Sequence, residues 1–354
     1  MHHRGKPRLQ DDVIFVVTSI LSLQPNSAKV CIPDKRLEKL AELSRSEVVT
    51  PATLEFVDIA GLIAGASKGE GLGNKFLSHI REVSCIAQVI RCFEDSNVIH
   101  VNEGSIDPVH DIGVLENELI LADLQSIEKR IDKASIKKGP KSMNPDTFRK
   151  QLELLQKLKP TLEEGLPASS AELDEEERHV LPELQLLTSK PMMYICNVGE
   201  NSLNEDQKLV EQVRAAAPTK VPVVPLCASV EAEVAALEDE ESRYEYLQEF
   251  GLNETSLDTL IRESSALLNN RYFFTTGQSE TRAWRIQAGT TAQEAAGYIH
   301  TDMARGFIRA ETTSFEDFVE AGGEEKAKSQ GKTRLEGKEY VVQDGDVMLF
   351  RFNV

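Results

Sequence analysis

The sequence predicts an α/β fold with a parallel sheet, a helical insert within it, and a small α+β domain after it. In the first part of the 354 residues, short apolar runs alternate with helical patterns, which is typical of a parallel sheet. Between about 116 and 188 only helical periodicity remains, and from about 275 onward short strand patterns surround one helix. These three observations give the order of the regions.

The strands of the parallel sheet are predicted from apolar runs at Leu54–Val57, Ala87–Phe93, Met192–Val198 and Val221–Leu226. A helix after the first of them is predicted from Phe76, Leu77, Ile80 and Val83, which share one face. The earlier run Val13–Leu23 follows basic residues but is too short to span a bilayer. We interpret it as a buried strand, with a remnant targeting signal as the alternative, and expect no membrane-spanning segment.

The helical insert shows two apolar faces. Leu124, Ile127 and Ile131 share one; the other is formed by Phe148, Leu152, Leu155, Leu158 and Leu162. Gly139-Pro140 between them indicates a turn, so we expect an antiparallel hairpin or coiled coil. The acidic run Asp174–Glu177 is interpreted as a solvated helix start and not as a metal site.

The C-terminal region contains alternating and turn-like patterns. Trp284–Ile286 and Tyr340–Val342 predict strands, and Val347–Val354 alternates apolar and polar residues. Gln343–Asp346 is a turn signal ahead of that last strand, and Thr291–Tyr298 predicts a helix. Short strands around one helix favour a small α+β domain.

Bulk charge and cysteine usage exclude some classes of function. A formal charge of −18 and a pI near 5.0 argue against general affinity for nucleic-acid backbones, although a local basic face is compatible with them. The five cysteines contain no C-x-x-C pair, so neither a zinc site nor a disulfide framework is predicted. Cys92, Cys196 and Cys227 lie in apolar runs and are expected to be buried thiols in a reducing compartment.

The run from Asp58 to Asn74 is the most informative motif of the chain. Asp58 stands where a predicted strand ends, and Gly61 opens a loop with four glycines between positions 65 and 73. A carboxylate at a strand tip can hold Mg²⁺ through water, and a following glycine amide can hold a terminal phosphate. The alternative is a merely flexible connection. We predict a phosphate and magnesium site here.

The matching phosphate loop is not found in the sequence. No G-x-x-x-x-G-K-[ST] segment precedes Asp58, and Gly5-Lys6 is followed by proline. Gly331-Lys332-Thr333 also fails, because Lys326 stands where the first glycine is needed.

Two further loops follow predicted strands, Asn197–Glu200 and Cys227–Ser229. In a G-protein-like sheet these are the loops that hold the base, and guanine is read there by N-K-x-D. Val198 replaces that Lys and Glu200 takes the Asp place, so a site of this kind would lose guanine discrimination. Each motif alone is typical of an ordinary strand-end loop, but their common order and spacing with Asp58 favour a nucleotide site.

Together these motifs resemble those of the Obg-like ATPase family of translation-factor-type P-loop proteins. The resemblance covers roughly Ser22 to Val354. Besides the three loops it is carried by Gln24-Pro25-Asn26, Pro33–Leu37, Asn97–His100 and Gly297–Asp302. It implies a P-loop-type G domain over 1–115 and 190–270, a helical coiled-coil domain over 116–189, and a TGS domain, a ubiquitin-like β-grasp fold, over 271–354. The family hydrolyses ATP, often GTP, and is associated with ribosomes and with translation or stress responses.

The resemblance also implies residue roles. Asp58 would support Mg²⁺ with the hydroxyl of Ser22, which falls where the family has a threonine, and Gly61 would approach the γ-phosphate. Leu62 takes the place of the water-orienting Gln of Ras-like proteins, and His100 matches the histidine that does that work in the family.

The base would be contacted by the two remaining loops. The resemblance assigns this contact to Asn197 and the Val198 backbone, with Glu200 in the same loop. The second base loop contributes Cys227, Ala228 and Ser229.

Residues 1–21 depart from the family's opening strand, phosphate loop and first helix. Val13–Val17 fits the first strand's place, but the phosphate-binding Lys has no counterpart. Losing several charge-assisted contacts costs about 4–8 kcal/mol, enough to turn micromolar into millimolar affinity. We therefore expect either an ATP/GTP hydrolase of impaired activity, truncated or alternative in origin, or a non-catalytic ribosome- or protein-binding chain. The expected compartment is the cytoplasm, with a plastid as the alternative.

Overall fold

Two six-stranded sheets organise the chain. The structure is a computed structural model that describes residues 13–17, 26–59, 72–93, 106–136, 144–200, 203 and 207–353, without the side chains of 13–17, 26, 58–59, 72–76 and 136. Contacts divide the described chain into two compact units. One contains residues 28–55 and 260–354, and the other contains residues 13–27 and 56–259.

The strands are β1 (Val13–Val17), β2 (Asn26–Cys31), β3 (Val48–Thr50), β4 (Thr53–Ile59), β5 (Cys85–Arg91), β6 (Met192–Asn197), β7 (Val223–Leu226), β8 (Asn270–Thr275), β9 (Glu280–Gln287), β10 (Phe307–Ser314), β11 (Arg334–Glu336) and β12 (Asp346–Phe352). The helices are α1 (Lys35–Ser44), α2 (Leu72–Glu82), α3 (Pro108–Ile136), α4 (Pro145–Glu163), α5 (Glu175–Val180), α6 (Lys208–Ala216), α7 (Ala228–Ala236), α8 (Glu240–Glu249), α9 (Ser256–Leu267), α10 (Ala292–Ile299), α11 (Thr301–Arg305), α12 (Phe315–Ala321) and α13 (Glu324–Ser329). No helix in these described ranges is long and apolar enough to cross a membrane.

The first sheet has the strand order β2-β4-β1-β5-β6-β7. β1, β5, β6 and β7 pair in parallel, with Val17 opposite Gln88 and Arg91 opposite Asn197. The predicted strand at Val13–Val17 is therefore confirmed, and it lies inside the sheet between β4 and β5. The chain order changes direction at β1, and open parallel sheets bind ligands outside the strand ends near such a point.

The residues of β5 explain why this part of the chain forms a parallel sheet. Five of its seven residues are buried, and four of these are consecutive, Cys85–Gln88. A strand covered on both faces reads as a continuous apolar run, which is the pattern of a central parallel strand. Ile86 packs with Leu77 and Ile80 of α2 on one side, so the helix predicted after the glycine-rich loop is also confirmed.

The insert is a helical hairpin, as predicted. Ile127 of α3 packs with Leu154, Leu155 and Leu158 of α4 in a cluster of its own. Asn144 caps α4 by accepting from the Asp146 amide, with Pro145 at the first helical position, where a missing N–H costs nothing. The predicted turn Gly139-Pro140 lies outside the described residues.

The acidic run at α5 is a helix start, as predicted. The Asp174 carboxylate accepts from the Glu177 amide at 2.8 Å while the Glu177 carboxylate accepts from the Asp174 amide at 2.9 Å. This reciprocal pair satisfies two amides that a helix leaves open at its N-terminus.

Buried polar groups connect the insert to the sheet. Asp123 of α3 is fully buried and accepts from the Leu187 amide, the Thr188 amide and the Thr188 hydroxyl at 2.7–2.9 Å. Burial raises the pKa of Asp123, and these three donors oppose that effect. Lys190 in the same segment donates to the carbonyl oxygens of Arg81 and Val83, where α2 ends. The segment before β6 is thus tied to both helices.

The second sheet has the order β11-β10-β12-β8-β9-β3. Its core contains Phe273, Ile286, Ala296 and Phe350, so α10 packs on one face. The predicted helix Thr291–Tyr298 is confirmed as α10, with Thr291 and Glu294 forming a capping box.

One feature of this unit differs from the sequence prediction, and a second was not predicted. Tyr340–Val342 is not a strand, because only Val341 makes an isolated bridge, to Thr291. The segment 28–55 groups with the C-terminal residues, because β3 pairs in parallel with β9 and Arg36 bonds to Asp344 at 2.7 Å. The predicted division into three domains stays a prediction.

Candidate functional site

The carboxyl ends of β5, β6 and β7 lie level with one another. Arg91 is opposite Asn197, and Asn197 is opposite Leu226. The Cys92 amide donates to the Asn197 carbonyl oxygen at 2.8 Å, and the Val198 amide donates to the Leu226 carbonyl oxygen at 2.9 Å. The two loops predicted to hold a base therefore leave the sheet side by side.

The loop Asn197–Glu200 presents alternating side chains. Val198 is 3% exposed and packs into the core beneath the loop, whereas Asn197 is half-buried and Glu200 is exposed. The Asn197 side chain makes no hydrogen bond to any other described residue. Because the Val198 amide is already bonded to the neighbouring strand end, only its carbonyl oxygen is left for a ligand.

The second loop is the N-terminus of a helix. Cys227 is the N-cap residue of α7, and no side chain caps this end. Ala228 and Ser229 are exposed, and the Ser229 hydroxyl lies 3.2 Å from the buried Cys227 sulfur. The first amides of a helix have no partner within it and carry partial positive charge, so this end offers donors to a ligand.

Phe93 is a candidate residue that the sequence reasoning missed. A Cβ built on Gly199 would lie 3.7 Å from the Phe93 Cβ. Phe93 therefore lies beside the loop Asn197–Glu200. Arg91 lies over the Phe93 ring at 4.9 Å and donates from Nε to the Phe93 carbonyl oxygen. The sequence did contain a signal for Phe93, because an aromatic residue stands two positions after Arg91, the last residue of β5. The arrangement offers a partly exposed apolar wall next to polar strand ends.

The thiols near this edge are buried, as predicted. Cys92, Cys196 and Cys227 are all free and at most 3% exposed. A hydrogen bond with the Cys196 thiol, together with burial, raises the pKa of Cys92 well above its ordinary range. A thiol held protonated in this way is a poor nucleophile and metal ligand.

The phosphate side of the predicted site is only partly described. Asp58 is the penultimate residue of β4, in agreement with its predicted position at the end of a strand, but its side chain is not described. Ser22, Gly61 and His100 lie outside the described residues. Within the described ranges no three His, Cys, Asp or Glu side chains form a metal-binding group. The carboxylate and hydroxyl predicted for Mg²⁺ have the oxygen donors that this ion prefers.

Comparison with curated proteins gives relatives that match over most of their length. The ribosome-binding ATPase YchF of Haemophilus ducreyi is 49% identical over 334 residues, covering 94% of this chain and 90% of the relative. The protein of the same name in Bacillus subtilis is 48% identical over 338 residues with the same coverage. The family model YchF-GTPase_C, described as a protein of unknown function (DUF933), matches residues 271–353.

Solved structures agree with the sequence relatives. The YchF GTPase of Schizosaccharomyces pombe superposes with a TM-score of 0.84 at 28% identity, covering 98% of this chain and 99% of that one. A GTP-binding protein from Pyrococcus horikoshii superposes with a TM-score of 0.56 at 18% identity and is evidence for the fold alone.

Proposed function

The chain belongs to the YchF family, and we propose that it is a nucleoside-triphosphate-binding protein of the ribosome, an ATPase by descent. The observation that carries this proposal is the level alignment of the two base loops at the ends of β6 and β7, in a chain 49% identical to a ribosome-binding ATPase. We further propose the cytoplasm as its compartment, because a ribosome partner requires one that holds ribosomes; a plastid is the alternative.

We propose the following roles on the phosphate side. Asp58 holds Mg²⁺ through water with the hydroxyl of Ser22, and Gly61 donates its amide to the terminal phosphate. His100 orients the attacking water. When bound, Mg²⁺ would neutralise charge that develops on the phosphates. The position of Asp58 at the end of β4 supports this assignment.

We propose that the base is bound between the two loops and Phe93. The Asn197 side chain, which bonds to no other described residue, pairs with the base, and the Val198 carbonyl oxygen accepts from an exocyclic amine. Adenine carries such an amine on its Watson–Crick edge, whereas guanine presents a carbonyl oxygen at the same place. Glu200 is exposed and is one methylene longer than the Asp of N-K-x-D. Its carboxylate would therefore be less well placed for the guanine edge. This chemistry favours ATP over GTP.

We propose that ATP binds weakly to this chain. The 354 residues contain no G-x-x-x-x-G-K-[ST] segment ahead of Asp58, so the lysine and amide cradle of the phosphates is not provided by that motif. Calorimetry with Mg²⁺-ATP tests this, and we expect a dissociation constant in the millimolar range or above. Micromolar binding would show that another segment cradles the phosphates.

A second candidate function follows from the same observation. A chain without tight phosphate binding would act as a ribosome- or protein-binding protein that does not hydrolyse ATP. Co-sedimentation with ribosomes, with and without Mg²⁺-ATP, separates the two. Pelleting that ATP changes supports the nucleotide-dependent function, whereas pelleting that is indifferent to ATP, together with no hydrolysis, supports the second. If the chain does not pellet with ribosomes at all, the ribosome assignment is wrong.

A further inference from the structure

Three cationic side chains lie close together where the helical insert joins the first sheet. Arg81 is the penultimate residue of α2, Arg130 lies in α3, and Lys190 lies just before β6. We call these three side chains the cation cluster. All three are half-buried, and all belong to the compact unit that contains residues 56–259. Charges removed from water in this way are usually paired with an opposite charge.

Two members of the cation cluster are held by backbone carbonyl oxygens and keep unused donors. The Lys190 ammonium donates to the carbonyl oxygens of Arg81 and Val83 at the end of α2, which leaves one of its three N–H groups. Arg130 donates from Nη1 to the Leu184 carbonyl oxygen at 2.8 Å, which leaves four of its five N–H groups. These bonds fix the two side chains in place without neutralising their charges.

Arg81 has no such structural bond. Its guanidinium makes no hydrogen bond and no ion pair with any described residue, although the residue is half-buried. The Asp123 carboxylate lies nearby, but it already accepts three hydrogen bonds from Leu187 and Thr188. In the described ranges no carboxylate forms an ion pair with any member of the cation cluster. Packing and hydrogen bonding within the described protein therefore leave the Arg81 charge unexplained.

The cation cluster carries more positive charge than its surroundings offset. Burial lowers the pKa of Arg130 and of Lys190, and repulsion from Arg81 lowers both further. The Asp123 carboxylate acts in the opposite direction on both. The C-terminal end of α2 adds about half a negative charge, so together with Asp123 it offsets about one and a half of the three positive charges.

We propose that the cation cluster binds a phosphate group. A phosphate group carries about one and a half to two negative charges at pH 7, which is the charge that the cluster lacks. Each arginine offers a planar fork of donors that matches two phosphate oxygens, and the lysine adds a point charge. Because the three cations come from α2, α3 and the segment 184–190, a bound phosphate would hold the helical insert to the sheet. This site is separate from the strand ends and does not depend on nucleotide binding there.

The test compares three variants of the full chain with the wild type. Arg81→Gln removes the unpaired fork, and Arg81→Lys keeps the charge without the fork. Arg178→Gln is the matched control, because Arg178 also lies in the last turn of a helix and bonds to no described residue through its side chain. Binding of inorganic phosphate is followed by phosphorus NMR line width at constant ionic strength in chloride, and far-ultraviolet circular dichroism checks the fold.

We expect Arg81→Gln to weaken phosphate binding about ten-fold, as for the loss of charge-assisted hydrogen bonds. Arg81→Lys should weaken it less, and Arg178→Gln should bind as the wild type does. Phosphate bound elsewhere in the chain is unaffected by Arg81→Gln, so the comparison reports on the cluster alone. Equal binding by Arg81→Gln and the wild type, or no phosphate binding by the wild type, would overturn the proposal.

Hydrogen exchange tests the place of binding independently. At a phosphate concentration of twice the dissociation constant, exchange in the segment 184–190 should slow about three-fold in the wild type and stay unchanged in Arg81→Gln. Exchange in this segment that does not respond to phosphate in the wild type would contradict the proposed position.

Two further ligands identify the source of the phosphate group. Phenyl phosphate is a phosphomonoester without a base, so binding as tight as that of inorganic phosphate supports a phosphorylated small molecule as the ligand. Binding of inorganic phosphate alone supports free phosphate. Sodium acetate is the competitor that tests the chemistry of the site. If acetate displaces phosphate at equal concentration, the cluster takes any anion and the phosphate assignment is wrong.

Discussion

The two sheets differ in whether certain polar side chains at their strand ends are hydrogen-bonded within the protein. In the second sheet, the two aspartates beside the start of β12 are bonded within the unit. Asp344 accepts from the Tyr272 amide and from Arg36, and Asp346 accepts from the Tyr340 hydroxyl and the Gln343 amide. At the end of β6 in the first sheet, the Asn197 side chain has no partner among the described residues.

The difference separates polar groups that stabilise the fold from those available to a ligand. A buried carboxylate without donors would cost several kcal/mol, so Asp346, which is 2% exposed, must be bonded for the unit to fold. A half-exposed amide or helix end can be satisfied by water until a ligand replaces it. Changes at the first kind should therefore affect unfolding, and changes at the second kind should affect binding.

The largest effect is expected for Asp346→Ala. It leaves the Tyr340 hydroxyl and the Gln343 amide without their acceptor and removes a carboxylate 3.7 Å from Arg334, so unfolding should become easier by about 3 kcal/mol. Trp284, the one tryptophan of the chain, lies in β9 and reports on this unit by fluorescence in urea. Asp346→Asn keeps one acceptor and should lose less. An unchanged urea midpoint for Asp346→Ala would contradict the comparison.

A smaller effect is expected for Gly306→Ala. A Cβ at Gly306 would lie 2.1 Å from the Asn353 carbonyl oxygen, so the backbones where β10 begins and β12 ends must move apart, at a cost of about 2 kcal/mol. Gly199→Ala is the matched control in the first sheet, because its Cβ would meet Phe93 at an ordinary 3.7 Å. Thermal unfolding of both variants compares them, and equal melting temperatures would show that the close approach relaxes without cost.

The third prediction concerns Asn197→Ala. Since this side chain makes no bond to the described protein, we expect the free energy of unfolding to change by less than about 0.5 kcal/mol. Binding of ATP should weaken about ten-fold, equivalent to about 1.4 kcal/mol for a lost contact to the base. Titration calorimetry at high ATP concentration measures the affinity, and urea unfolding measures stability. A destabilised protein with unchanged ATP binding would place Asn197 with the structural residues.

The smallest effect on stability is expected when the pH is lowered. Bonds from Arg351 and Lys328 lower the pKa of Glu311 from 4.5 to about 2, so its ionised form stabilises the fold above about pH 4.5 and this contribution is lost as the pH falls towards 2. Because Arg351 is half-exposed, we expect about 1 kcal/mol. Glu311→Gln should differ from the wild type by this amount at neutral pH, and the difference should shrink steadily as the pH falls from about 4.5 through 2, in urea unfolding followed at Trp284. The exposed Glu339→Gln serves as control, and a pH-independent difference for Glu311→Gln would refute this cause.

Local pattern was enough to predict much of the first sheet and its candidate site. The apolar run Val13–Val17 predicted β1, and the ends of β6 and β7 fell within one residue of the predicted positions. Such runs are detectable because a strand buried on both faces needs an unbroken apolar segment. The sequence also predicted that the loops at Asn197 and Cys227 hold the base together, and parallel strands bring such loops to one edge of the sheet.

Other features depend on pairing between distant residues and were decided by the tertiary structure. Val48 lies opposite Glu280, more than 200 residues away, and nothing in the sequence between Lys35 and Thr50 indicates that it joins the second sheet. Val341 has a strand-like pattern but finds only one bridging partner. Phe93 became a candidate through its position beside Gly199. The sequence determined the buried parallel strands β5, β6 and β7, the hairpin and the residues at those strand ends, because periodicity and turn chemistry are local. The tertiary structure alone decided which of those ends are bonded within the protein and which stay open, because that depends on partners brought together by folding.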